Sequence, residues 1–170
     1  MEKLQDFVTD QLKELYSAEI QLKIVLEKMA YQTSNQGLRH RFEKLSKDMD
    51  LQTAKIDRVF TLLGLEKGAQ RFSHIMEAIG KELQDFMERN PAPEIRDAGF
   101  IAISQKAKHY QISLYGTLKE YAHELGSQEA ETLLGELLNE EKQADHEFSE
   151  KARNGINQRA MHTDPSDRRT

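Results

Sequence analysis

The chemistry in this chain starts from ionisable residues placed where a helix should be apolar. They are Glu19, Asp48, Glu82, Lys108, His109, Glu141 and Asp145. Carboxylates and an imidazole converging from several helices are what a pair of iron or manganese ions needs for ligands. A lysine ammonium among the same carboxylates could neutralise them without any metal. Some neutralisation is required, because an isolated buried carboxylate costs on the order of several kcal/mol. Glu19 lies between Leu15 and Leu22 on one apolar stripe. Lys108 falls on the stripe Ile101, Gln105, Lys108, Ile112, Tyr115, with His109 at its edge. Glu140 and Glu141 cannot both face inward, and the stripe through Leu134, Leu137, Leu138 and Phe148 favours Glu141.

The elements that must position these residues read as helices throughout. Leu4, Phe7, Val8, Leu15, Leu22, Leu26 and Met29 recur at helical spacing from Glu2 to about Gln32. The run Thr33-Ser34-Asn35-Gln36-Gly37 is a turn with N-cap residues, and a second helix follows it to Gly64. A shorter helix spans about Phe72 to Glu88 and is broken by Asn90-Pro91-Ala92-Pro93. A fourth helix runs from about Glu94 to Leu125, where Gly126 stops it, and a fifth from about Ser127 to Arg153. No period-two alternation persists, so no strand is expected. Short turns make helices one and two, and helices four and five, antiparallel neighbours. The short helix between the pairs crosses the bundle. The expected architecture is all-α, a four-helix bundle of the ferritin-like kind with one additional short crossover helix. It covers 1–153, and the polar residues 154–170 form a tail that cannot bury much.

Composition narrows the function classes. The 170 residues suffice for one domain with a core, and the net charge of −5 offers no basic stripe for nucleic acid. The absence of cysteine excludes disulfides and thiolate sites. No apolar run approaches the roughly 20 residues that cross a bilayer, and the first residues lack a signal-peptide core. The expected location is the cytoplasm.

Three runs carry a resemblance. The first is Leu15-Tyr16-Ser17-Ala18-Glu19-Ile20-Gln21-Leu22, with Ile56-Asp57-Arg58-Val59-Phe60 and Gly64 after it. The second extends from Asp97-Ala98 through His109-Tyr110 to Tyr115-Gly116-Thr117. The third is Leu137-Leu138-Asn139-Glu140-Glu141-Lys142-Gln143-Ala144-Asp145. In this order, over about residues 4 to 152, the chain resembles the YciF/YciE-like, DUF892 family of ferritin-like proteins. The resemblance implies a carboxylate-rich dimetal site and a link to bacterial stress responses. It implies that Glu19, Glu82, His109, Glu141 and Asp145 are what remains of that site. It also exposes departures. The second helix of such relatives carries His-x-x-Glu, and here it reads Leu45-Ser46-Lys47-Asp48. The fourth should read Glu-His-Tyr-Glu, and here it reads Lys108-His109-Tyr110-Gln111. An ammonium at a ligand position repels a divalent ion and fills its volume.

The expectation is therefore a degenerate site without a cofactor. In it the Lys108 ammonium hydrogen-bonds Glu19 and a fifth-helix carboxylate, in a buried network of Glu19, Lys108, Glu141 and Asp145. His109 is expected as a hydrogen-bonded core histidine, while Asp145 and Glu82 are as readily surface residues as site residues. The plainer alternative for Lys108 is a side chain that snorkels to solvent. At the level of function, the first reading is a non-catalytic, stress-associated helical protein that forms a homodimer. The alternative is an iron or manganese carboxylate enzyme with ferroxidase or peroxide chemistry, using Glu19, Asp48, Glu82, His109, Glu141 and Asp145.

Overall fold

The computed structural model describes residues 2–163. The chain forms α1 (Leu4–Gln32), α2 (Gln36–Leu62), α3 (His74–Glu88), α4 (Pro93–Glu124) and α5 (Gln128–Lys151). A π-helical turn (Ala152–Ile156) and α6 (Asn157–Met161) follow, and no strand occurs among the described residues. The boundaries have local causes. The side chains of Asn35, Ser73 and Ser127 accept from the amides of Leu38, Met76 and Ala130 and cap α2, α3 and α5. Pro93 supplies its fixed φ to the first turn of α4. Gly64 and Gly126, at φ +64° and +74°, take the left-handed conformation just past α2 and α4.

The four long helices pair as α1 with α2 and α4 with α5, and α3 crosses the bundle against α1 and α4. The segment between α2 and α3 is tied down by charge. Lys67 stands 3.2 Å from the Tyr16 ring centroid and 2.7 Å from Asp57, and Arg71 pairs with Asp10.

The tail differs from expectation. The chain does not leave the bundle at 153 but stays helical to Met161. Gly155, at φ +124°, breaks the path of α5 and turns Ile156 inward, where it joins the cluster around Phe42 and Phe148. Burial of one aliphatic side chain anchors a stretch whose composition reads as solvated. The remainder of the expected tail, 164–170, lies outside the described residues.

The apolar core is divided. One cluster holds Leu22, Met29, Phe42, Met49, Phe100 and Phe148, and the other Leu12, Leu15, Ile56, Tyr115, Leu118 and Leu137. On every long helix the change from one cluster to the other falls at or next to a buried polar residue: Glu19, Gln52, Lys108 with Gln111, and Glu141. A polar layer therefore crosses the middle of the bundle.

Candidate functional site

The four long helices supply this layer from polar residues on otherwise apolar stripes, one each from α1, α2 and α5 and two, Lys108 and Gln111, from α4. Glu19, Lys108 and Gln111 are fully buried, Glu141 is 1% exposed and Gln52 4%. Lys108 Nζ donates to Glu141 Oε2 at 2.6 Å and to Gln111 Oε1 at 3.0 Å. Gln111 Nε2 donates to Glu19 Oε1 at 2.7 Å, and Tyr115 donates its hydroxyl to the same oxygen at 2.7 Å. Gln52 Nε2 donates to Glu141 Oε1 at 2.7 Å. The result is a chain of hydrogen bonds, Gln52–Glu141–Lys108–Gln111–Glu19–Tyr115. Two of its oxygens, Glu19 Oε2 and Gln52 Oε1, have no hydrogen-bond partner among the described residues.

The charges explain the titration behaviour. Burial, and then repulsion from Glu141, push the Glu19 carboxyl up to about 7, against the opposing pull of Lys108, Tyr115 and Gln111. Burial, followed by the charges of Glu19 and Glu141, also raises the Tyr115 hydroxyl well above its ordinary value. Lys108 can balance one of the two carboxylates, so a proton on Glu19 brings the layer to neutrality. A folded-state value above the ordinary 4.5 means that the native chain holds the proton more tightly than the unfolded chain. The stabilising contribution is thus complete below about 4.5 and is lost as pH rises through about 7. Glu19→Gln mimics the protonated form. Relative to it, the wild type should lose on the order of 1 kcal/mol of stability per pH unit across that window. Urea unfolding of both proteins at several pH values measures the difference, and a gap that stays constant across the window contradicts the assignment.

The remaining expected site residues are elsewhere. The buried ridge of α4 runs through Ser104, Lys108, Gln111 and Tyr115, not through Gln105 and Ile112. One residue further along a helix is turned by about 100°, which carries His109 out of the bundle. It is not a core histidine: its side chain is 68% exposed, with Nε2 3.6 Å from Asp145 Oδ1. Asp145 does not reach Lys108; it accepts from Gln105 Nε2 at 3.2 Å at the bundle edge. Glu82 pairs with Lys106 at the surface, because α3 packs through Met76, Ile79 and Leu83. Asp48 lines an open groove between α2 and α5. Lys108 does not touch Glu19 directly, since Gln111 stands between them. Nor does it snorkel to water, having no exposed surface.

This donor set does not fit a dimetal centre. Glu19 and Glu141 are the two carboxylates that enter the layer, and an ammonium bonds one of them. Among the described residues, no three His, Asp or Glu side chains gather closely enough to hold a metal ion.

Two contributors were missed in the sequence. Gln52 had a faint signal, as an amide on the α2 stripe between Met49 and Ile56. Asp97 had none beyond its place in a recognisable run. It is buried and accepts from Thr33 Oγ1, Ser34 Oγ and the amides of Ser34 and Asn35. Tyr110, half-buried, donates to Glu14 Oε1 at 2.7 Å, and burial raises its hydroxyl above the ordinary range.

The model of the family described as "Domain of unknown function (DUF892)" matches residues 3–161. Protein YciF of Escherichia coli (strain K12) is 36% identical over 160 residues, covering 94% of this chain and 96% of that protein. The crystal structure of the E. coli stress protein YciF superposes with a TM-score of 0.87 at 35% identity, covering 92% of this chain and 99% of that one. YcfI from Rhodopseudomonas palustris, provisionally described as a structural protein, gives a TM-score of 0.82 at 29% identity, with coverage of 87% and 94%. Among the described residues, no helix is long and apolar enough to cross a membrane.

Proposed function

The chain belongs to the DUF892 family, and from that premise we propose that it is a non-catalytic, stress-associated helical protein of the cytoplasm. In this reading its interior site is a degenerate dimetal centre in which the Lys108 ammonium supplies the charge once supplied by metal. The observation that carries the reading is the contact of Lys108 Nζ with Glu141 Oε2 at 2.6 Å, with both side chains at most 1% exposed. A divalent ion in the same layer would meet that ammonium at close range, and the repulsion in a low-dielectric interior is large. The similarity to a stress protein of E. coli supports the biological setting.

Metal analysis of the purified protein after growth with iron and manganese tests this reading. Metal well below stoichiometric is expected. A pair of ions per chain, lost when Glu19 or Glu141 is changed to Gln, favours the alternative, an iron or manganese carboxylate enzyme. The double variant Lys108→Glu with Leu45→His, which restores an anionic and an imidazole ligand, should take up more metal than the wild type.

A homodimer belongs to the same proposal. The outer face of α1 exposes Ile24 by 50% and Tyr31 by 88%, beside a groove lined by Lys23, Arg39 and Lys47 and by Glu27, Glu43 and Asp50. Equal numbers of each sign around apolar residues suit pairing of this face with itself across a two-fold axis. Sedimentation equilibrium should return a dimer, and Tyr31→Glu should shift it toward monomer. A wild-type monomer at micromolar concentration refutes the pairing.

A further inference from the structure

The hydrogen-bonded layer is a ring with one side open. The four long helices stand at the corners of a square in the order α1, α2, α5, α4, since these are the neighbours that pack against one another. Gln52 bonds Glu141 across the α2–α5 side, Glu141 bonds Lys108 across the α5–α4 side, and Gln111 bonds Glu19 across the α4–α1 side. The two buried oxygens without a hydrogen-bond partner among the described residues, Glu19 Oε2 and Gln52 Oε1, belong to the helices of the remaining side, α1 and α2.

The register of α1 and α2 sets these two side chains at one level. Lys23 bonds Asp50 and Ser46 bonds Glu27, pairs that lie four residues apart on each helix. One more step of four along the same antiparallel pair sets Glu19 opposite Ala54, two residues from Gln52 and so about 3 Å from it along the axis. Two acceptors cannot bond each other, so one of them has to carry a proton. Gln52 is turned with its nitrogen to Glu141 and offers only its oxygen. The contacts of Glu19 are those of a neutral acid. Gln111 Nε2 and the Tyr115 hydroxyl both donate to Oε1, as to a carbonyl oxygen, and Oε2 receives nothing. A hydroxyl at Oε2 would be a donor in need of an acceptor.

The surrounding charges agree. α4 turns Lys108 and Tyr115 toward Glu19, and α5 turns Glu141 toward it. Among the described residues α2 buries no charged side chain, and α3 buries Met76, Ile79 and Leu83. One ammonium thus faces two carboxyl groups, and burial followed by Glu141 pushes the Glu19 carboxyl up to about 7.

We propose that Glu19 is a neutral acid whose Oε2 hydroxyl donates to Gln52 Oε1, closing the ring through all four long helices. Gln52 is the positioning residue. Its nitrogen serves the ionised Glu141, and its oxygen holds the proton on Glu19. The ring is a pH-sensitive clasp: loss of the proton opens the α1–α2 side of the layer and leaves two carboxylates against one ammonium. The clasp presupposes the metal-free layer proposed above and adds to it where the proton sits and what it holds.

The experiment is carbon-13 NMR of the full chain, labelled at the glutamate side-chain carboxyl, across neutral pH and after metal analysis of the same sample. The Glu19 signal is the one missing from Glu19→Gln. It should keep the shift of a neutral acid until the pH reaches about 7. The proton should appear as a slowly exchanging resonance with a nuclear Overhauser contact to the Gln52 side chain. Gln52→Met keeps the length and removes the acceptor, so it should lower the Glu19 midpoint by about one pH unit, the equivalent of one hydrogen bond. Glu19→Gln places a permanent donor at the same point, and its amide protons should contact Gln52 at every pH. These two contacts decide the matter even if Gln52→Met fails to fold. A Glu19 midpoint at the ordinary 4.5, a midpoint indifferent to Gln52→Met, or a proton that contacts other side chains but not Gln52 overturns the proposal. The first of these results leaves a bridging water between the two oxygens. Two metal ions per chain overturn the metal-free reading and the clasp together, whereas a metal-free sample with an ionised Glu19 overturns the clasp alone.

Discussion

Lys108→Met should lower the unfolding free energy by about 3–5 kcal/mol, read as a shifted urea midpoint with an unchanged slope. Methionine nearly fills the lysine's volume and suits a helix, so little of the loss comes from packing or propensity. The loss is electrostatic. Glu141 keeps only the Gln52 amide, Gln111 Oε1 loses its donor, and Glu19 and Glu141 face one another across an interior with no cation. The layer answers by taking up protons, so the variant should be relatively more stable at low pH. Lys108→Met combined with Glu141→Leu removes both charges, and part of the lost stability should return, because a buried ion pair contributes little over well-packed apolar groups. A single variant as stable as the wild type would mean that the ammonium has no role in holding the layer together.

Asp97→Ala should cost about 2–3 kcal/mol, by removing the charged acceptor shared by four donors, of which the Thr33 hydroxyl is buried. Asp97 lies in the second turn of α4, and its carboxylate accepts from Thr33 Oγ1 at 2.5 Å, Ser34 Oγ at 2.6 Å, Ser34 N at 3.0 Å and Asn35 N at 2.9 Å. These atoms form the α1–α2 turn and the N-cap of α2. One side chain thus joins the first helical hairpin to the second, across 62 to 64 residues of chain. The hydroxyl of Thr33, 1% exposed, cannot reach water in compensation. Asp97→Asn keeps one accepting oxygen but turns an NH₂ toward donors, so it should recover only part of the loss. Thermal unfolding of the two variants measures the order. An alanine variant that melts with the wild type would show that the turn satisfies these groups by itself.

Much of the fold was legible before the structure because helices announce themselves locally. Apolar spacing gave five helices, and Asn35, Ser127, Pro93, Gly64 and Gly126 mark boundaries through their own backbone and capping chemistry. The same stripes flagged Glu19, Lys108 and Glu141 as polar residues in apolar company. The site itself was less legible. His109 and Asp145 stand beside apolar stripes, and helical spacing alone does not say on which side of the bundle edge such residues fall. Ile156 was hidden in a polar tail, since composition averages over a stretch and burial acts on single side chains.

By itself the sequence determined that this is a bundle of long helices interrupted midway by charge, because periodicity and caps are properties of neighbouring residues. Tertiary structure alone decided how the buried ridge runs on either side of Lys108: Gln111 rather than Ile112 faces inward, and His109 faces out. A helix turns by about 100° per residue, so a shift of one position in the packed ridge exchanges core for surface. It also decided that Lys108 reaches Glu141 directly and Glu19 only through Gln111. Those partners lie on three different helices, and the separations between helices are set by how the whole bundle packs.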